Sequence, residues 1–294
     1  MTRIIDYEGS NYRTDFWEGR GREYEDRVER DAIRRLLPPD GGKRLLELGA
    51  AYGRITNEYR GYNEIVLLDY SFSQLQEARQ RYGDNGFIYV AADAYKLPFR
   101  AGTFDAATMI RVLHHFADVP QFFNGLERVL APESTFLLEF ANKRNLKAVI
   151  RYLFSKQTWN PHTLEPVEFV ELNFDFHPEY IKQTLQEAGF KTEKRIPVEF
   201  FRIGWLKRTV PAGVLVSIDR LLQLTGLLYS PSVFTVNTLQ TQGADNTTIS
   251  HQDLFACPMT GVDLHHDGNE LVSSDGQSRY EIRDGIYVFK SLDD

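Results

Sequence analysis

Leu45-Leu46-Glu47-Leu48-Gly49-Ala50-Ala51-Tyr52-Gly53-Arg54 is the stretch that decides the fold. An apolar run enters a loop of small residues, and a helix is expected to follow the loop. Small residues let the backbone approach a ligand closely, and the start of a helix presents free N–H groups. The next buried-strand signal, 64–69, carries the run IVLL and ends at Asp69. A carboxylate at that spacing can accept hydrogen bonds from both hydroxyls of a ribose.

Outward from this loop, strand and helix signals alternate. Residues 24–37 read as a helix with Val28, Ala32 and Leu36 on one face, ended by Pro38-Pro39. Strands are expected at 44–48, 64–69, 87–91, 104–110 and 135–140. Ser71 with Gln74, and Asp118 with Gln121, have the capping spacing that opens the intervening helices. The alternation predicts a mainly parallel sheet with helices on both faces, and ligands at the edge where the strands end. Beyond residue 141 the pattern loosens. A helix is expected at 144–155 and another at 178–188, closed by Gly189. Strands near 190–199 and 233–239 are expected to pair antiparallel at one side of the sheet. The apolar segment 211–229 lies between them and reads as a lid or packed cap, with a dimer surface or a membrane-interface helix as lesser readings.

The 294 residues suit one large domain or two ordinary ones, and 42% hydrophobic with 26% charged residues excludes general disorder. One cysteine, Cys257, excludes an intrachain disulfide framework and a four-thiolate zinc site, and fits a reducing compartment. A net charge of -7 argues against a broadly basic nucleic-acid surface. No apolar run is long enough to span a bilayer, and the N-terminus does not read as a signal peptide. A cytoplasmic location is the expectation. The polar stretch 241–250, TQGADNTTIS, reads as a linker between a body, 1–240, and a tail, 251–294.

Two cofactor types compete for the loop. A dinucleotide fingerprint wants G-x-G-x-x-G, whereas this chain has G-x-x-x-G with Ala51 between its glycines. Glu47, ahead of the first glycine, would repel a pyrophosphate and suits a ligand with an amino group and a sulfonium. Residues 47–53 resemble motif I, [DE]-x-G-x-G-x-G, of class I S-adenosylmethionine-dependent methyltransferases. Further resemblances follow in order. Asp69 stands at the ribose acid. Asp93-Ala94 stands where the family has an acid and a backbone N–H that meets adenine. Leu97-Pro98-Phe99, Thr103-Phe104-Asp105, Val112-Leu113-His114-His115 and 126–132 resemble stretches of the small-molecule, type 11-like subgroup. Ala51 replaces the middle glycine of motif I, and Glu133-Ser134 replaces two glycines of a turn. The resemblance covers about 43–140. It implies a Rossmann-like seven-stranded α/β sheet, mainly parallel with an antiparallel last strand. It also implies S-adenosyl-L-methionine as cofactor, with Glu47, Gly49, Ala51, Gly53, Asp69, Tyr70, Asp93, Ala94 and Arg111 on the cofactor side.

Methyl transfer needs orientation, desolvation and sometimes a base. His115 or His114 could be that base; otherwise one caps a turn and the other packs on a helix. Arg111 could hold an anionic group or pair with a nearby acid, and Glu139, Asn142 and Arg144 share that ambiguity. The aromatics Tyr7, Tyr12, Phe16, Trp17 and Tyr24 precede the first strand, where related methyltransferases often close a segment over the cofactor. Lys143, Lys147 and Arg151 have the spacing of one helix stripe, joined by Arg144 and Lys156 with no acid among them. Arg202, Lys207 and Arg208 form a second basic group. Both are read as solvated faces, or as bordering a site for an anionic acceptor.

In the tail, 254–258 and 280–289 resemble the zinc-ribbon family of small methyltransferase activators, whose patterns are L-x-C-P-x-C and Y-P-I-x-D-G-I-P. Thr260 stands at the second thiol and 271–279 holds no cysteine, so Cys257, His265 and His266 form no recognised zinc pattern. A small β-rich ribbon without metal is expected, docking in cis on the exposed edge strand 87–91. The expected function is methyl transfer to an O, N or C nucleophile of a small-molecule or lipid-like acceptor. The alternatives are a non-catalytic S-adenosylmethionine-binding partner protein, and a methyltransferase acting on RNA or a translation factor. No DNA partner is expected.

Overall fold

The computed structural model describes residues 4–59 and 61–290; residues 1–3 of the N-terminal segment and 291–294 of the tail lie outside the described residues. β1 (Gly42–Leu48) runs at the centre, parallel to β2 (Tyr62–Asp69) on one side and to β4 (Phe104–Met109) on the other. β3 (Phe87–Ala91) pairs parallel with β2, and β5 (Leu130–Ala141) with β4. β9 (Ser232–Leu239) is antiparallel to both β5 and β8 (Phe190–Val198). The order β3-β2-β1-β4-β5-β9-β8 is a Rossmann-like sheet with a reversed strand near one side. A separate hairpin joins β6 (Val167–Val170) to β7 (Asn173–Asp175).

Alternation along the strands divides the core between the two sheet faces. Leu46, Leu48, Val66 and Leu68 pack on one face with α3 (Val119–Val129) and α5 (Pro178–Glu187). Leu45, Ile65 and Leu67 pack on the other with α1 (Glu23–Leu36) and α2 (Phe72–Tyr82). The helices start where side chains cap them. Ser71 Oγ accepts from Gln74 N, and Asp118 from Gln121 N at 2.9 Å. Asn145 accepts from Ala148 N at 3.0 Å, so α4 (Leu146–Leu153) is shorter than the 144–155 expected. α6 (Gly204–Thr209) and α7 (Ala212–Gln223) fill the apolar segment between β8 and β9.

Two expectations fail locally. The helix expected after the motif loop is reduced to a single 3-10 turn, Thr56–Glu58. β5 begins at Leu130, inside the expected turn, and Glu133 carries φ +62° where a glycine would be unstrained.

The tail continues the same sheet. β13 (Ile286–Val288) pairs parallel with β3, and Phe289 N–H donates to Ala91 O at 2.8 Å. β10 (Leu264–Asp267), β11 (Glu270–Ser273) and β12 (Arg279–Arg283) add an antiparallel meander, giving eleven strands. Asp284 and Gly285, both at positive φ, make the turn into β13. Phe255 is fully buried, 5.8 Å from the Phe99 ring, 4.3 Å from Tyr287 and 5.6 Å from Phe289.

Candidate cofactor and acceptor cleft

At the C-terminal ends of β1, β2, β3 and β4 lies a cleft of about 1020 Å³, part of it open to solvent. Its floor is the motif loop. Gly49 takes φ +67°, and a Cβ there would stand 2.3 Å from the Val112 side chain. Ala51 takes φ +46°, a left-handed value that a residue with a Cβ holds at some cost. Its N–H donates to Asp69 Oδ2 at 2.7 Å, while Ser71 N–H donates to Oδ1 at 2.9 Å. Asp69 is thus fixed at the cleft wall. Burial raises its carboxyl above the ordinary range, against those two donors. Asp93 lines the same cleft and accepts from Tyr95 N–H at 2.9 Å. Glu47 is wholly buried beneath the loop and accepts from Thr56 Oγ1 at 2.6 Å. Burial pushes its carboxyl up to about 8.

The N-terminal segment roofs the cleft through Tyr7, Tyr12 and Trp17. Glu8 pins this roof to the start of α2, accepting from Phe72 N–H at 2.7 Å and Ser73 N–H at 3.0 Å. Lys290, at the end of the tail, reaches Asp6 and Glu8 at 3.4 Å each and lies 4.3 Å from the centre of the Tyr70 ring. Trp17 packs against the Arg54 guanidinium at 3.6 Å, and its buried Nε1–H finds no acceptor among the described residues.

Arg111 closes the inner wall at φ +61°. Its N–H donates to Glu139 at 2.8 Å, and its guanidinium to Glu29 at 2.5 Å and to Glu199. Glu29 also receives Arg54 at 2.6 Å. Burial opposes ionisation of Glu29, but Arg111 and Arg54 outweigh it and hold the carboxyl low; burial prevails at Glu199 and raises it. Arg111 is therefore already compensated by acids, and a ligand anion would have to compete for it.

His115 Nδ1 lies 3.0 Å from Leu172 O. A carbonyl only accepts, so Nδ1 carries the proton, and the Nε2 lone pair faces the Tyr7 hydroxyl at 3.5 Å. Burial pushes His115 below its ordinary value, leaving it neutral at pH 7. The His114 ring lies tilted against His115, centroids 3.9 Å apart, and burial first, then the neighbouring His115 and the Arg111 guanidinium, hold it well down.

Of the residues singled out in the sequence, Glu47, Gly49, Ala51, Asp69, Tyr70, Asp93, Ala94, Arg111 and His115 line one cleft. Gly53 and His114 are not among its lining residues; the space for a Cβ at Gly53 is taken by the Tyr82 ring, at 2.5 Å. The basic stripe also changes. Lys143 precedes α4, is buried, and donates to Glu165 O at 2.5 Å and Thr163 O at 3.0 Å. Lys207 pairs with Glu25 at 2.5 Å and Arg202 lies 3.5 Å from Glu199, so the second basic group is largely neutralised. Glu29 and Glu199 were not singled out. Glu29 does sit on the apolar face of α1 with Val28 and Ala32, and an acid there calls for a buried cationic partner. Among the described residues no group of His, Cys, Asp and Glu could hold a metal ion. Cys257 Sγ instead contacts Tyr280 Oη at 3.2 Å.

These residues fit S-adenosylmethionine. Glu47 could hold a cationic group and Asp69 and Asp93 could accept from hydroxyl and amino groups, small residues line the same cleft, and the unpaired indole N–H of Trp17 offers a donor for a carboxylate.

Residues 46–138 match the family described as Methyltransferase domain. Over 167 residues the chain is 32% identical to the ubiquinone/menaquinone biosynthesis C-methyltransferase UbiE of Teredinibacter turnerae, covering 51% of this chain and 67% of that protein. The chain spans about two thirds of the length of the curated relatives of this name. Among solved structures, a chain from the complex of the Haloferax volcanii Trm112 methyltransferase activator with a candidate methyltransferase superimposes with a TM-score of 0.55 at 15% identity. That match covers 82% of this chain and 100% of the other. An S-adenosylmethionine-dependent methyltransferase from Mesorhizobium loti gives 0.51 at 19% identity, covering 73% and 99%. Both likenesses speak for the fold. No described helix is long and apolar enough to cross a membrane. Fold, cofactor cleft and relatives agree, and the chain belongs to the S-adenosylmethionine-dependent methyltransferases.

Proposed function

We propose that the protein methylates a small-molecule or lipid-like acceptor, with His115 as the base that takes the proton of the acceptor nucleophile. The observation that carries this reading is one cleft holding the cofactor-side acids and a His115 whose Nε2 is held free of hydrogen by the Leu172 carbonyl. Bound S-adenosylmethionine supplies an electrophilic methyl group. Glu47 draws the cofactor's ammonium group and Asp69 accepts from its ribose hydroxyls. Trp17 and Tyr7 cover the reacting atoms and exclude water. Ile4, Ile5, Val112 and Phe116 give the cleft apolar walls that suit a hydrophobic acceptor. The UbiE relatives, named for ubiquinone and menaquinone biosynthesis, support an acceptor of that kind.

The tail is read as a metal-free ribbon-like module whose place on β3 covers a sheet edge. A second reading, methylation of RNA or a translation factor, draws on the Trm112 complex among the structural neighbours. A net charge of -7 opposes it.

The test is transfer of label from S-adenosyl-[methyl-³H]methionine into fractionated cell extract. Label in the organic-soluble fraction is expected, and His115→Phe should lower the rate at least about 100-fold with cofactor binding retained. Label in RNA or protein would favour the second reading. Cofactor binding with no transfer to any fraction would make the protein a non-catalytic binder.

A further inference from the structure

Two helices of this chain leave large apolar side chains facing outward. A surface helix of a globular fold ordinarily turns its apolar stripe to the core. α7 buries Leu215 on that side, but also Asp219 and Gln223. Asp219 accepts from Tyr24 Oη at 2.5 Å and Phe200 N–H at 2.9 Å, and Gln223 Oε1 accepts from Arg35 at 2.5 Å. Val214, Ile218 and Leu221 on the same helix are exposed, and Leu224 just past its end is 80% exposed. α4 repeats the pattern. Ala148 is buried, whereas Leu146, Ile150, Leu153 and Phe154, spaced along one face, are exposed, the last two at 71% each. α4 meets the loop that follows α7. Leu146 N–H donates to Tyr229 O at 2.8 Å, and Arg144 donates to Tyr229 Oη at 2.8 Å, at the end of the loop leading from α7 into β9. α4 itself follows the end of β5, on the sheet edge that carries the cleft.

Charge selects the occupant. Lys147 and Arg151, one helical turn apart, run beside the apolar stripe of α4, and Lys156 follows; all three are exposed and make no ion pair among the described residues. No acid lies within 143–156. A second copy related by a two-fold axis would bring these like charges together. A bilayer bearing anionic headgroups offers apolar depth for the leucines and phenylalanine, and a negative surface for the three cations.

We propose that α4, the 224–229 loop and the exposed face of α7 dock the protein on an anionic lipid surface. This does not depend on methyl transfer, although a lipid-like acceptor would reach the cleft from that side.

The test is flotation of the full chain with vesicles of equimolar phosphatidylglycerol and phosphatidylcholine, and with phosphatidylcholine alone. Binding to the anionic vesicles, weakened by salt, is expected. L153E/F154E and K147E/R151E should each reduce partitioning at least about tenfold. Melting temperatures of both variants should stay at the wild-type value, because the replaced side chains are exposed. No flotation with either vesicle, or equal flotation of both variants, would overturn the proposal. So would a lipid-independent dimer that L153E/F154E dissociates, since that would assign the face to a second copy.

Discussion

Phe255→Ala should destabilise the whole protein, although Phe255 lies far along the chain from the cofactor loop. Its ring is fully buried between Phe99 of the body and Tyr287 and Phe289 of the tail, and its backbone bridges to Phe99. Truncating a buried phenylalanine removes its transfer free energy and leaves a cavity, costing about 3–5 kcal/mol. For a chain of this length, each kcal/mol moves the melting temperature by roughly 2–4 °C, so a fall of about 6–20 °C is expected. Scanning calorimetry is the assay, and one cooperative transition should move as a unit. The reason is continuity: β13 hydrogen-bonds to β3, and Leu254, Leu264 and Leu271 belong to the same apolar cluster as Leu46 and Phe104. A shift under about 3 °C would refute the reasoning. A separate early transition beside an unmoved main one would refute it too, because the tail would then be an independent unit.

Glu47 predicts a pH dependence of cofactor affinity. Its buried carboxyl titrates near 8, and a cationic ligand needs the carboxylate. Binding must then expel a proton below that pH, so affinity should fall by up to about tenfold per unit as pH drops from 8, and Glu47→Gln should flatten the profile in calorimetric titrations. Lys290→Ala removes the tail's hold on Asp6 and Glu8 at the roof of the cleft. Cofactor dissociation measured by stopped flow should quicken by about two- to fivefold, a loss within the range of a part-exposed ion pair, with melting nearly unchanged. Arg111→Met leaves Glu29 and Glu199 buried without their shared cation. Urea unfolding should show a loss of about 3–5 kcal/mol, whereas a loss under 1 kcal/mol would mean that the acids are protonated in pairs and need no arginine.

Much of the sheet is legible in the sequence because parallel strands covered on both faces are continuous apolar runs. Residues 64–69 announce β2 in that way through the run IVLL, and Ser71 and Asp118 mark helix starts by a local hydrogen bond. What escapes local reading depends on partners far along the chain. Lys143 has helical spacing with Lys147, yet the carbonyls of 163 and 165 draw it inward and the Asn145 cap starts the helix after it. The helix expected after Gly53 shrinks to one turn, and Arg54 spends its side chain on Asp26 and Glu29 of α1. Within the cleft, the acids at strand ends are readable from spacing. The tautomer of His115 is not, since Leu172 supplies the deciding carbonyl.

The most direct measurement is calorimetric titration of the protein with S-adenosylmethionine, its demethylated product and NADH, beside Asp69→Ala checked for folding by its melting curve. The account predicts roughly micromolar binding of the first two, no binding of NADH, and loss of affinity in the folded variant. Binding of NADH alone, or of none of the three, would contradict it.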